Sequence, residues 1–443
     1  MKDKDQFCNL IFRTISRAAM VALAIATVFA LTVVLTQSAQ AQTLTVLHNF
    51  TDGADGALPE GGLTMDRAGN LYGTASLGGN GGCLPYGPCG TAYKLQHKGS
   101  NWIFSPLYDF SGSDGALPVA GVVFGPDGSL YGTTSQGGDD GRGTVFNLRP
   151  PATACKTALC SWTETLLYQF TWLPDGQVPV GDPIFDEAGN LYGTTVDGGN
   201  YCGQYQDPCG TVFELTPSEN GWTETILYVF QGGNDGFAPG PSLIFDQSGN
   251  LYGTTARGGS SDAGTVFEMT RSGNQWTETV LYAFQGGNDG SNPRGGLIFD
   301  HSGSLYSTAS GGAYNAGTVF KLTPSNGQWT FTVLYTFQGA DGAYPTGNLV
   351  MDAAGSLYGT TNEGGSDNYC GTVFKLTPSG GGWTHTLLHA FTCGPDGGEP
   401  VNATPIFDAN GNLYGTAACG GTGSGCSPTF CDSGCGVIWE ITP

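Results

Sequence analysis

Basic side chains are scarce in this 443-residue chain: 15 Lys and Arg stand against 37 Asp and Glu, for a net charge of −22 at neutral pH. Nucleic acid and anionic lipid would meet like-charge repulsion at every contact, so neither is expected as a partner. Histidine is scarcer still, at five residues. His48 and His389 occupy a position that is otherwise Tyr, His97 and His301 fall in turns, and His385 stands where other repeats place Glu164, Glu224 and Glu278. None has a recognisable catalytic partner in sequence. The chain contains no nucleophile elbow, phosphate loop, His-rich metal motif or flavin fingerprint, which removes the commonest sequence-readable chemistries. Sustained helical periodicity is also missing, and no Pro/Ser-rich linker divides the chain.

A single pattern returns seven times instead, marked by Leu71-Tyr72, Leu130-Tyr131, Leu191-Tyr192, Leu251-Tyr252, Leu305-Tyr306, Leu357-Tyr358 and Leu413-Tyr414. The spacings of 59, 61, 60, 54, 52 and 56 residues are regular, yet too variable for closely superposed solenoid units. Each unit holds four strand-like segments, a to d, which residues 243–284 show clearly. Leu243-Ile244-Phe245 enters a turn and Leu251-Tyr252-Gly253-Thr254-Thr255 leaves it; residues 264–269 and 276–284 follow. These segments are rich in Thr, Val and aromatics and are bounded by Gly, Pro, Asn and Asp, so they predict four-stranded antiparallel propeller blades. The 74 Gly and 24 Pro then serve as turn residues and do not signal disorder.

The two ends set the blade count. The last repeat stops after strand c, at Val437-Ile438-Trp439-Glu440-Ile441, whereas Thr43 to Phe50 aligns with the strand d Thr163 to Phe170 and has no a, b or c before it. The orphan strand is expected to complete the truncated blade, closing the ring without an unpaired edge. The expected fold is therefore all-β: a single seven-bladed propeller over residues 42–443, and a monomer.

Residues 1–41 read as an export signal. Lys2, Lys4, Arg13 and Arg17 precede an apolar run from Ala18 to Leu35, and Ala39-Gln40-Ala41 offers a signal-peptidase site. The run is long enough to leave an uncleaved anchor as the alternative. With four basic and two acidic side chains removed alongside this segment, the remaining chain carries a net charge of −24. Twelve of the 13 Cys remain, all in expected loops: Cys83, Cys89, Cys155, Cys160, Cys202, Cys209, Cys370, Cys393, Cys419, Cys426, Cys431 and Cys435. An exported chain favours disulfides, and loop positions predict the pairs 83–89, 155–160, 202–209 and 370–393. The last four share one loop; their pairing stays open, with zinc as the alternative to bridges.

Asp-Gly-x-x-Pro occurs in every repeat, beginning at Asp55, Asp114, Asp175, Asp235, Asp289, Asp341 and Asp396. It falls in the d-to-a connection, where Asp accepts backbone hydrogen bonds, Gly takes positive φ and Pro steers the entry to strand a. A turn role is expected. The alternative is a ring of carboxylates collecting Ca²⁺, for which Asp and loop carbonyls are suitable hard ligands. Asp-x-x-Gly-Asn/Ser, from Asp66 through Asp408, is a second repeated turn.

Taken together, Asp-Gly-x-x-Pro, Asp-x-x-Gly-Asn-Leu-Tyr-Gly-Thr-Thr, the Gly-Gly loop, Gly-Thr-Val-Phe-Lys-Leu-Thr-Pro and Trp-Thr-Glu-Thr resemble the tandem repeat of the GloVer-containing, or "choice-of-anchor", bacterial proteins. The resemblance spans residues 43–443 and implies an exported surface protein, with no catalytic residues to transfer. The chain ends at Thr442-Pro443 with no sorting tail, so attachment through the C-terminus is not expected.

Function should break the sevenfold pattern, and the unequal loops do. The b-to-c loops 76–90, 196–210, 362–371 and 418–436 should share one face with the Asp-Gly connections. That face carries Tyr86, Trp172, Tyr201, Tyr205, Tyr369 and Phe430 as candidate ligand-binding rings, alongside Phe237, Tyr314 and Tyr344. Aromatic planes beside Asp and Asn suit stacking on a sugar; the competing expectation is that they pack over their own loops. The functional expectation is a secreted or cell-surface binding module for a glycan or protein. The alternative is a carbohydrate-active lyase or hydrolase with acidic residues in the central pocket.

Overall fold

The computed structural model describes residues 42–82, 89–99, 101–151, 162–202, 208–219, 221–273, 275–365, 369–426, 431 and 434–442. The expected export signal lies outside them. Among the described residues no helix is long and apolar enough to cross a membrane.

Seven four-stranded antiparallel units follow one another along the chain. The fourth is representative: strand a is Ile244–Phe245, b is Leu251–Arg257, c is Thr265–Ser272 and d is Gln275–Ala283. Its register sets Leu251 opposite Met269 and Phe267 opposite Val280, with one irregularity between Val266 and Phe267. Strand b is buried from Leu251 to Thr255, so it reads as a continuous core strand, whereas strand d alternates. The Gly in Leu-Tyr-Gly is a steric requirement. A Cβ on Gly253 would lie 2.5 Å from the ring of Phe267 in strand c.

The chain ends close the ring as the orphan strand predicts. Thr43–Asn49 pairs with Val437–Thr442, which pairs with Leu413–Ala417 and then Ile406–Phe407. The Phe50 N–H donates to Gly436 O at 3.0 Å, the same bond that Phe284 makes to Gly264 O within the fourth blade. The N-terminal segment is therefore an ordinary strand d supplied from the other end of the chain.

Each blade is thin, so the core lies between blades. The Phe ending each strand d packs edge-on or tilted against a strand-c ring of the next blade: Phe110 on Phe146 at 5.0 Å, Phe230 on Phe267 at 5.3 Å, Phe391 on Trp439 at 6.2 Å, and Phe50 on Tyr93 at 5.3 Å across the closing seam. Strand-b Tyr residues add a second layer, Tyr192 meeting Phe245 and Trp276 of the following blade and Tyr414 meeting Trp102 across the seam. Each fully buried Phe contributes about 2–3 kcal/mol. Strand-b threonines stitch the same junctions by donating to carbonyls of the segment that leads into strand a of the next blade: Thr133 to Gly181 O at 3.0 Å, Thr194 to Gly240 O at 2.8 Å and Thr416 to Gly61 O at 3.0 Å. Thr254 is the exception; its hydroxyl is buried without a partner.

Four disulfides are formed among the described residues: Cys202–Cys209, Cys370–Cys393, Cys419–Cys431 and Cys426–Cys435. The last two consume all four cysteines of the final loop and leave no thiolate for zinc. Cys89 is also disulfide-bonded, while Cys83, Cys155 and Cys160 fall outside the described residues.

Candidate functional site on the loop face

The Asp-Gly connections and the b-to-c loops meet on one face, joined by short antiparallel bridges such as Ala57 to Leu77, Ala116 to Gln136 and Ala343 to Glu363. In every blade the Asp accepts a hydrogen bond from the Tyr or His two residues before the strand-d Phe. Asp114 is reached by Tyr108, Asp175 by Tyr168, Asp289 by Tyr282 and Asp341 by Tyr335. His48 contacts Asp55 at 3.2 Å and His389 contacts Asp396 at 2.9 Å. Asp235 accepts from Tyr228 OH at 3.0 Å, Gln231 N at 2.8 Å and Gly233 N at 3.2 Å. Each carboxylate thus ties its own loop to the strand that precedes it. Among the described residues no three of His, Cys, Asp and Glu gather as a metal-ligand group.

Three of these carboxylates face a second one across the blade junction. Glu164, Glu224 and Glu278 lie near Asp114, Asp175 and Asp235, and each Glu keeps a buried Oε1 without a hydrogen-bond partner. Burial, reinforced by the charge of the facing Asp, raises all three to about 7. In other junctions an aromatic ring fills the same place: Phe104 stacks on His48 at 4.0 Å, Phe331 on Tyr282 at 4.0 Å and His385 on Tyr335 at 4.6 Å.

The residue before each repeat Pro has left-handed backbone in all seven blades, at Leu58, Leu117, Val178, Ala238, Asn292, Tyr344 and Glu399, with φ between 51° and 58°. Such a conformation is costly for a non-Gly residue and persists only where its surroundings hold it. Here both backbone groups are clamped: Tyr344 N donates to Ala316 O at 2.8 Å, and Tyr344 O accepts from Asn362 N at 3.0 Å. Asn292 does the same between Ala263 O and Ser310 N. The clamp is sevenfold but its side chains are not. They are apolar in the first four blades and become Asn, Tyr and Glu in the last three.

At that break in symmetry lies an open cleft of about 440 Å³, lined by Ser291, Asn292, Arg294, Ser310, Gly311, Asn315, Tyr344, Thr346, Asn362, Glu363, Val401 and Asn402. This size suits a small ligand or a short segment of a longer one. The left-handed clamps at Asn292 and Tyr344 hold Ser310 and Asn362 through their backbone N–H groups, and the side chains of those two residues line the cleft. Ser310 Oγ and Asn362 Oδ1 are buried and have no hydrogen-bond partner within the protein. Such unmet polar atoms are costly unless a ligand or solvent satisfies them. Arg294 is exposed, with its Nε 3.2 Å from Asn292 Oδ1, and burial raises the Glu363 carboxyl above its ordinary range.

The aromatic residues expected to bind ligand are placed differently. Trp172, Tyr201 and Tyr369 are on the loop face and 46%, 55% and 70% exposed, but none of them lines the cleft. Trp172 instead carries the Arg142 guanidinium 4.0 Å above its ring. Tyr86, Tyr205 and Phe430 lie outside the described residues. Of the rings singled out from the sequence, Tyr344 lines the cleft; Asn292, Arg294, Ser310, Asn362 and Glu363 line it too and were not among the sequence candidates. The signal available was the loss of apolar character before Pro293, Pro345 and Pro400.

Seven four-stranded sheets closed by a shared terminal blade define the molecule as a seven-bladed β-propeller. Within that class, the chain belongs to the Gloeobacter/Verrucomicrobia repeat family, whose profile matches residues 26–206 and 202–430. No curated protein matches the sequence. Among solved structures it is similar to a fungal alcohol oxidase in complex with copper, at 14% identity over 90% of this chain and 76% of that one, with a TM-score of 0.51. A candidate 6-phosphogluconolactonase from Bacteroides uniformis is 15% identical over 79% of this chain and 89% of that one, with a TM-score of 0.48. A luciferin-regenerating enzyme is 11% identical over 91% and 95%, with a TM-score of 0.39. At these identities the likeness is one of fold alone.

Proposed function

We propose that this protein is an exported propeller, secreted or held at the cell surface, that binds a glycan through the polar cleft on its last three blades. The observation that carries this reading is the pair of buried, unpartnered oxygens, Ser310 Oγ and Asn362 Oδ1, among the carboxamides of Asn292, Asn315 and Asn402 beside the Tyr344 ring. Sugar hydroxyls both donate and accept, so one such ligand satisfies a Ser hydroxyl and an Asn carbonyl together. The ring of Tyr344 offers an apolar face beside them. Export is supported by the basic and apolar pattern of residues 1–41 and by the disulfides of the loop face. Binding is favoured over two-carboxylate hydrolysis because Glu363 is the one carboxylate among the residues lining the cleft.

The test is a glycan array probed with protein beginning at Gln42, as wild type and as the Asn362→Ala and Tyr344→Ala variants. Binding to a defined glycan class, lost in both variants while their melting temperatures hold, is the expected result. A blank array, or glycan binding that both variants retain, would sink the proposal, and release of reducing ends from a bound glycan would move the assignment to the hydrolase reading.

A further inference from the structure

The innermost part of the ring holds a smaller cavity, which shares Thr346 and Asn402 with the cleft. Three residues after each repeat Pro, or four in the last repeat, the segment leading into strand a brings one residue toward a common centre. Gly62, Gly121, Asp182, Ser242, Asn348 and Thr404, from six different blades, line one cavity of about 20 Å³. Six blades can share a cavity only at the propeller axis. Close approach there depends on glycine: a Cβ on Gly121 would lie 2.5 Å from Gly62 O, and one on Gly181 would overlap Pro241 O.

We propose that this axial cavity is a site for a single hard cation of calcium type, bound by the Asp182 carboxylate together with the hydroxyl oxygens of Ser242 and Thr404 and the carboxamide oxygen of Asn348. The argument starts from charge. No Lys, Arg or His is among the residues lining the cavity, so nothing cationic in the lining offsets the carboxylate. Asp182 accepts a backbone hydrogen bond from Gly121 and is half-buried. A bound cation would balance that charge.

The neighbouring groups favour a cation. Asn348 reaches across the axis: its Oδ1 accepts from Gly296 N at 2.5 Å and its Nδ2 donates to Ser242 Oγ at 3.1 Å. The Asn348 backbone N–H points to Thr404 Oγ1 at 3.4 Å. These bonds engage the Asn348 Nδ2 within the protein and link Ser242, Asn348 and Thr404, which line the same cavity as Asp182. One carboxylate beside neutral hydroxyl and carboxamide oxygens is a hard-ligand set, and a set with one carboxylate belongs at the weak end of the calcium range, as in extracellular modules. The volume admits one particle about the size of a water molecule and excludes organic cations.

The experiment is calcium binding to protein beginning at Gln42, stripped with a chelator and dialysed against CaCl₂ at constant ionic strength, with bound calcium and melting temperature measured together. The expected result is uptake of one calcium per chain with a rise in melting temperature that tracks occupancy. Asp182→Asn should abolish both effects, and Asp235→Asn should retain both, which separates the axial site from the Asp-Gly turns. Absence of uptake by the wild type would overturn the proposal. Uptake that survives Asp182→Asn would overturn it equally. Should Asp182→Asn fail to fold, Ser242→Ala, which removes a neutral ligand, must weaken uptake several-fold; unchanged affinity in that variant refutes the site.

Discussion

Replacing Phe50 by Ala asks whether the N-terminal strand closes the ring as an integral blade edge. Phe50 is fully buried and meets Tyr93 at 5.3 Å and Phe104 at 5.8 Å in the first blade, although it lies 391 positions before Ile441 of the strand with which its own strand pairs. Phe230, at an internal junction, is equally buried and meets Phe267 at 5.3 Å. Removing a fully buried Phe costs about 3–5 kcal/mol through lost transfer free energy and the cavity left behind. If the seam is packed like an internal junction, Phe50→Ala and Phe230→Ala should fall in that range and agree within about 1 kcal/mol. Urea unfolding, with the slope unchanged between variants, gives the comparison. A cost below about 1 kcal/mol for Phe50→Ala, beside a full cost for Phe230→Ala, would show that the terminal strand is a loose appendage and refute closure. Deleting residues 42–50 should have the larger effect, because it also bares the edge of Val437–Thr442 and invites aggregation.

Stability should fall as pH rises from 5 to 8. Glu164, Glu224 and Glu278 are raised in the folded state to about 7 from 4.5, so their protonated forms stabilise the fold below 4.5 and that contribution is lost as pH passes through 7. Full burial would make each worth about 3 kcal/mol, but these junctions are only half-buried and solvent screening leaves about 1 kcal/mol apiece. The triple Glu→Gln variant should therefore flatten the denaturation profile across this window; an unchanged slope would contradict the junction picture. At the Asp-Gly turn, Asp235→Asn should be nearly silent, since an amide oxygen in the Oδ2 place still accepts from Tyr228 and Gln231 and only the longer bond from Gly233 is lost, whereas Asp235→Ala should cost about 1–2 kcal/mol. A loss in Asp235→Asn as large as in Asp235→Ala, seen by thermal unfolding, would show that charge rather than hydrogen bonding matters there.

The ring was legible in the sequence because its evidence repeats. Leu-Tyr pairs, strand-d Phe residues and an unmatched first strand each carry a local pattern that only blade stacking and terminal closure satisfy. The junction chemistry was less legible. Glu164 and Asp114 are separated by a whole blade in sequence, and only the packing of consecutive strand d elements brings them together. The left-handed residue before each Pro was hidden as well, because residues preceding Pro ordinarily avoid the helical regions, and here two interstrand hydrogen bonds override that preference. The loop face was predictable from connectivity, but the cleft was not. Exposed aromatics such as Tyr201 and Tyr369 drew attention, whereas the informative change was a quiet one, from Leu58, Leu117, Val178 and Ala238 to Asn292, Tyr344 and Glu399 at one repeated position.

Hydrogen–deuterium exchange, with and without a saturating glycan identified on the array, locates the binding surface directly. Protection concentrated in residues 291–294, 310–315, 344–346, 362–363 and 401–402, with the segments around Trp172 and Tyr201 unchanged, is the predicted result. Protection centred on Trp172 and Tyr201 with the cleft segments unaffected would contradict the assignment of recognition to the last three blades.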